Sequence, residues 1–284
     1  MNQPSYRFQL GQFACFAISD GTSVVPVEVA RSIFGNAPQT DIEQVLRDRN
    51  IQLESLENQL TCLLVDTGDQ WVLIDTGIGS GMGPEMGTLV ANLEAVGVAA
   101  ETIDIVIITH AHGDHIGGLT TEEGDLSFAN ARYVMSKHEW AHWTAAATLD
   151  SVNETTARFI RKNLLPLKDR LDLIAGDAEI VPGIRALPTP GHTPGHISLS
   201  ISSDGQALIY AADAIVHPLY LEYPHWSPTF DYSAGQAVES RLGLLARAAT
   251  DNPLVLVYHF PFPGLGHVVT HGDVWAWQGI GSVG

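Results

Sequence analysis

Between Thr109 and Gly118 the chain reads THAHGDHIGG, which brings His110, His112, Asp114 and His115 close together in sequence. Neutral imidazole is a good zinc ligand, and a carboxylate beside imidazole can build a second site next to the first. His110 and His112 lie two apart, so an extended backbone turns both to one side. Gly113 permits a tight turn after them. A hydrogen-bonded loop of histidines is the plain alternative, but the density of ligand-type side chains favours a metal-binding loop.

Three further residues combine ligand chemistry with a strand-end setting. His192 stands in TPGHTPGH (189–196) between two Pro-Gly turns, which fix the backbone around it. His196, at the start of the next strand, reads as a supporting residue. Asp213 emerges from the apolar run LIYAADAIV, where a carboxylate is costly unless it is paired or holds a cation. His259 ends the apolar run of VLVYHFPFPG. A lone histidine there is ordinarily packed core, but with six other ligand-type residues in the chain it reads as a ligand.

These side chains need strands to hold them. Residues 6–19 alternate as an opening strand, and QLTCLLVDT and QWVLIDTG form a pair joined by a turn at Gly68–Asp69. IDIVIIT (103–109) is an apolar, β-branched run of the kind buried on both faces, and it ends at the histidine cluster. ARYVMS is a strand, followed by a helix over KHEWAHWTAA. Further strands are expected near 183–188, 196–202 and 206–212, with PLVLVYHF (253–260) as the last buried one. Helices are expected over TDIEQVLRDRN, from Pro84, over 154–174 with a break near Pro166, and from a Ser233/Gln236 capping box to about Ala249. Without repeats or an obvious linker, residues 1–284 read as one domain. Residues 20–58 form an N-terminal extension or an insertion between strands.

Composition narrows the partners. The net charge of −18 disfavours nucleic acid and anionic membrane surfaces, both of which require Lys and Arg. A small, neutral, partly apolar substrate fits better. Cys15 and Cys62 are too few for a disulfide scaffold or a cysteine zinc site, and both sit in apolar strands. No run approaches a membrane span and the N-terminus lacks a signal-peptide pattern, so a cytoplasmic protein is expected.

Taken together, IDTG (74–77), THAHGDHIGG, TPGHTPGH, the aspartate of YAADA (210–214) and the histidine of YHFPF (258–262) resemble the metallo-β-lactamase superfamily, in the family's order. The resemblance implies an α+β fold, the αββα sandwich of two mixed sheets with helices outside and metals at one edge. It implies two divalent metal ions, zinc first, with iron, manganese or cobalt as alternatives. One ion would take His110, His112 and His192, and the other Asp114, His115 and His259. Asp213 would bridge them, and Asp75 of IDTG would support the metal loop by hydrogen bonds.

The same resemblance implies hydrolysis by a metal-bridging hydroxide, with Asp114 also relaying a proton. His112 stands where the diiron oxygen-reducing branch has glutamate, and the serum-type zinc β-lactamases lack the bridging aspartate. ISDGTSVVPVEV and HFPFPGLGHV (259–268) resemble methyl parathion hydrolase-like proteins, and some acyl-homoserine lactonases share that architecture. The expected reaction is therefore the opening of an acyl-homoserine-type lactone. The alternatives are an organophosphate triester or aryl ester hydrolase, a mononuclear iron persulfide dioxygenase and a non-catalytic binding protein. Dimers are common in this branch, so a homodimer through the N-terminal tract is an expectation.

One position departs from the pattern. Many lactonases place a tyrosine three residues after the bridging aspartate, and here that residue is Val216, with His217 or Tyr220 as substitutes. The loop HPLYLEYPHWSPTFDY (217–232) supplies candidate substrate-binding residues in His217, Tyr220, Trp226 and Phe230, and Phe260 is another beside a ligand. Packing of these rings onto the core is the competing reading.

Overall fold

A computed structural model describes residues 4–81, 83 and 85–280. The first sheet runs in sequence order from β1 (Ser5–Leu10) and β2 (Phe13–Val24) through β3 (Glu57–Asp66), β4 (Trp71–Ile74), β5 (Ile105–Ile108), β6 (Arg132–Ser136) and β7 (Leu171–Ile174). The second runs from β8 (Glu179–Val181) and β9 (Ile184–Pro188) through β10 (Ile197–Ser203), β11 (Gln206–Tyr210), β12 (Leu254–Leu256), β13 (Leu265–His271) and β14 (Val274–Gly279). Both sheets are mixed: β4 to β7 are parallel in the first, and β11 pairs β12 in parallel in the second.

The apolar face between the sheets makes the larger core. Cys15, Leu63, Val65 and Ile107 of the first sheet belong to the same buried cluster as Ile184, Leu199, Ile201 and Leu208 of the second. Along β11 the faces alternate with the two-residue period of a strand. Leu208 and Tyr210 join that core, whereas Ile209 and Ala211 join a second core with Leu244 and Leu245. Those leucines lie on helix Ala234–Asp251, which covers the outer face of the second sheet. All four residues of β5 are fully buried. Complete burial of one such side chain contributes about 1.5–3 kcal/mol, so a charge at Ile107 would break this strand first.

Several elements differ from the sequence expectation. The opening strand is a hairpin, because Gly11 at φ 58° makes a two-residue turn that pairs Leu10 with Phe13. Residues 20–24 continue β2, and β3 begins at Glu57. The rest of the 20–58 tract therefore connects two paired antiparallel strands, through helices Val27–Ser32 and Gln39–Asp48. Pro84 lies outside the described residues, and the helix expected there begins at Leu89.

The stretch 154–174 is helical only to Leu167, after which Leu171–Ile174 adds as an edge strand beside β6. PLVLVYHF contributes only the short β12 and is not the last strand, because β13 and β14 continue the sheet through a turn at Gly272. The Ser233 side chain makes no capping hydrogen bond. Its backbone N–H instead donates to Gly191 O at 2.8 Å, tying the helix start to the His192 loop.

Candidate metal centre

Every candidate ligand follows a strand. His110 to His115 come after β5, His192 after β9, Asp213 after β11 and His259 after β12. The two loops nearest the β4 and β5 ends approach so closely that only glycine fits. A Cβ at Gly117 would lie 2.0 Å from Ile78 O, and one at Gly118 would lie 2.0 Å from Thr76 O.

The donor atoms converge in two groups. Those of His110, His112, His192 and Asp213 all lie within 4.8 Å of one another, and so do those of Asp114, His115 and His259. Asp213 stands between the groups. Its Oδ2 is 3.3 Å from Nε2 of His192, 3.3 Å from Nε2 of His259 and 3.7 Å from Nε2 of His110, and its Oδ1 is 3.2 Å from Nε2 of His115.

Partners outside the cluster set the tautomers. His115 Nδ1–H donates to Asp75 Oδ2 at 2.9 Å, His192 Nδ1–H to Asp231 Oδ1 at 2.8 Å, and His259 Nδ1–H to Gln59 O at 3.0 Å. His110 Nδ1 faces Thr109 Oγ1 at 3.1 Å, a hydroxyl that itself donates to Asp75. These four rings therefore turn the Nε2 lone pair inward, the arrangement that metal-binding histidines require. His112 presents Nδ1 instead, 2.9 Å from His192 Nε2.

Nε2 of His110, Nε2 of His115 and Oδ1 of Asp213 are buried without a hydrogen-bond partner. Such orphaned atoms are costly in a protein interior, and divalent cations at the two donor groups would satisfy them. The residues present therefore fit divalent metal ions.

The electrostatics point the same way. Burial holds His110 well below the usual imidazole range, and burial together with neighbouring His192 takes His112 down to about 3. Burial also opposes charge on His192, but hydrogen bonds to Asp213 and Asp231 outweigh it and raise its pKa to about 9. Burial likewise opposes charge on His115 and His259, yet Asp213 and the neighbouring carboxylates hold both above the ordinary value. The carboxylates thus pull for positive charge at the centre of the cluster.

Supporting residues fall into three sets. Asp75 adopts φ 59° and accepts from Thr109 N, Thr109 Oγ1, His115 Nδ1 and Tyr210 Oη, so it braces the histidine loop from beneath. His196 Nε2 accepts the Asp213 N–H at 3.1 Å, while its Nδ1 faces Thr189 Oγ1 at 2.9 Å. Sequence reasoning missed Glu139, Asp231, Tyr258 and Arg241. Tyr258 donates to Asp114 O at 2.5 Å. Arg241, buried under Tyr220, donates to Ala214 O, Pro224 O and Trp226 O and so holds the loop after Asp213.

A cavity of about 310 Å³ opens over the cluster, lined by His112, Asp114, Asp213, His259, Val216, Phe230, Asn58, Val25, Val29 and Ile33. Of the aromatic candidates Phe230 faces it and the others do not line it. Tyr220 and Trp226 are buried edge-on against Phe34, and Tyr220 donates to Ile33 O. His217 packs against the same Phe34 ring, with its Nδ1 accepting Leu219 N–H. Phe260 is buried against Trp277. The aromatic loop therefore anchors the N-terminal tract, and that tract supplies the apolar wall that the sequence did not reveal.

With this geometry in view, the chain belongs to the metallo-beta-lactamase superfamily, whose profile matches residues 57–278. It is 28% identical over 170 residues to an N-acyl homoserine lactonase of Bacillus sp, covering 53% of this chain and 61% of that one. The match thus spans about six tenths of the curated relative's length. Among solved structures it is similar to AidC, a dizinc quorum-quenching lactonase with a product bound. That similarity has a TM-score of 0.86 and 25% identity over 98% of this chain and 99% of the other. The hydrolase AbOPH, of the beta lactamase superfamily, gives a TM-score of 0.88 and 26% identity over 99% and 98% of the two chains. Among the described residues no helix is long and apolar enough to cross a membrane.

Proposed function

We propose that this protein is a hydrolase using two divalent metal ions, zinc being our first choice, that opens lactones of the acyl-homoserine type. The observation that carries the reading is the position of Asp213, within 3.2–3.7 Å of histidines from both ligand groups. Kinship with N-acyl homoserine lactonases supports the choice of lactone. His110, His112 and His192 would hold one ion, Asp114, His115 and His259 the other, and Asp213 both. Bound ions supply Lewis acidity and bring the ionisation of water near neutral pH.

The chain's own groups do the rest. Val25, Val29, Ile33, Val216 and Phe230 receive an apolar acyl group and exclude water from it. Asp114 is the more open carboxylate of the cluster, with its side chain 25% exposed against 5% for Asp213. Asp114 is therefore the group placed to take the proton given up by the attacking water, and to pass it to the leaving alkoxide as the ester bond breaks. The Asp75 and His196 hydrogen bonds keep the ligands in register.

A second reading, hydrolysis of aryl esters or phosphotriesters, draws on Val216, which puts an aliphatic wall where many lactonases carry a tyrosine. Proton release from a medium-chain acyl-homoserine lactone, followed in chelated and metal-restored protein, tests the choice. Metal-dependent turnover is expected. No turnover from protein that holds two ions would overturn the lactonase reading in favour of the second.

A further inference from the structure

Asn58 is the one residue lining this cavity that is neither apolar nor part of the ligand cluster. It is the second residue of β3 and half-buried. Its neighbour Gln59 turns to the opposite face, as strand alternation requires, and there its Oε1 accepts from Thr22 Oγ1 at 2.7 Å. The Gln59 main-chain oxygen holds His259 Nδ1–H at 3.0 Å. The backbone carrying Asn58 is thus fixed directly to a member of the cluster. No hydrogen bond from the Asn58 amide to another described residue accompanies these contacts.

An unpaired amide on a cavity wall is satisfied by water while the cavity is open. A substrate that fills the cavity displaces that water and must supply a partner, or the desolvation of the amide opposes binding. The Asn side chain offers two donors and an acceptor oxygen. Its complement is a neutral group carrying a carbonyl acceptor or an N–H donor, which also suits the aliphatic side chains of Val25, Val29 and Ile33 in the same cavity.

We propose that Asn58 is a substrate-binding residue that hydrogen-bonds a neutral amide beside the scissile ester. It thereby selects amide-bearing lactones over amide-free lactones of similar size. The assignment rests on the lactonase reading above and adds a specificity determinant to it.

The test compares N-hexanoyl-homoserine lactone with γ-decalactone, which has no amide, in wild-type, Asn58→Ala and Asn58→Leu proteins of matched metal content. Loss of one such bond lowers kcat/KM for the amide-bearing lactone by about tenfold in Asn58→Ala, carried mainly by KM. γ-Decalactone turnover stays within about twofold, which also reports that the variant is folded. Asn58→Leu keeps the size without either polar group and shows the same selective loss. An equal fall on both lactones, or none on either, overturns the assignment while leaving the lactonase reading intact. Wild-type protein that turns over neither lactone overturns the lactonase reading and this assignment together.

Discussion

Asp231 Oδ1 lies 2.8 Å from Nδ1 of His192, and both side chains are about 1% exposed. The carboxylate fixes the ring's tautomer and makes Nε2 a better electron donor toward the cluster. Its other oxygen, Oδ2, is buried without a hydrogen-bond partner, and the buried Arg241 guanidinium interacts with the same carboxylate through charge. Asp231→Asn should lower metal affinity by roughly 10–100-fold, the usual effect of removing such a partner. Competition with a chromogenic chelator reads this directly, and an unchanged affinity would show that Asp231 does not position His192 for metal.

Glu139 is fully buried and ties the two ligand loops together. Its carboxylate accepts from Ala111 N at 2.9 Å and Trp143 Nε1 at 2.7 Å through one oxygen, and from Thr193 Oγ1 at 2.7 Å and Gly195 N at 2.8 Å through the other. Glu139→Ala strands these donors in the interior, at about 1–3 kcal/mol for each buried group left unsatisfied. We expect a loss of roughly 3–5 kcal/mol in urea unfolding, with Glu139→Gln less damaging because it keeps the shape and one acceptor oxygen. A loss under about 1 kcal/mol for the alanine variant would mean that the loops find other partners.

Burial holds His217 down to about 4. The unfolded chain takes up its proton near the ordinary imidazole value, about 6.5, while the folded protein does not. The unfolded state therefore binds more protons between about pH 6.5 and pH 4, and stability is lost as pH falls through that window. Replacing His217 with Asn should flatten this part of the profile by roughly 2–4 kcal/mol. Urea midpoints of both proteins at pH 7 and pH 4.5 give the comparison, and parallel profiles would exclude His217 as a source of acid sensitivity.

Burial also pushes the Cys15 thiol up to about 12 and Cys62 well above its ordinary value. Thiolate is the reactive form, so neither cysteine should react with a disulfide reagent at pH 8 in the native protein. Both should titrate once the chain is unfolded in denaturant. A fast-reacting thiol in native protein would show that one of the two strands opens readily.

The residues whose donor atoms gather in the two groups were legible because their signals are local. Each residue has a side chain able to bind metal, and each stands on a loop that follows a strand, after β5 in the first sheet or after β9, β11 or β12 in the second. The β5 run and its histidine cluster needed no tertiary information. The residues that hold the ligands were a different matter. Asp231 is 39 residues from His192, and Glu139 is 56 residues from Gly195. Neither carries a motif, because a carboxylate that accepts hydrogen bonds looks in sequence like any other acidic residue.

The edge strands show the same limit from the side of the fold. Leu171–Ile174 and β14 are short and partly exposed, so their hydrophobic pattern is weak, and pairing with β6 and β13 defines them. The sequence by itself determined the superfamily, through motifs that resemble it, and the candidate ligand types with their strand-end positions, which depend on side-chain chemistry and on apolar strand runs. Tertiary structure alone decided which aromatic rings face the cavity. In the irregular 217–232 loop no periodicity assigns a face, and the Phe34 ring of a distant segment draws Tyr220 and Trp226 inward while Phe230 is left over the metal site.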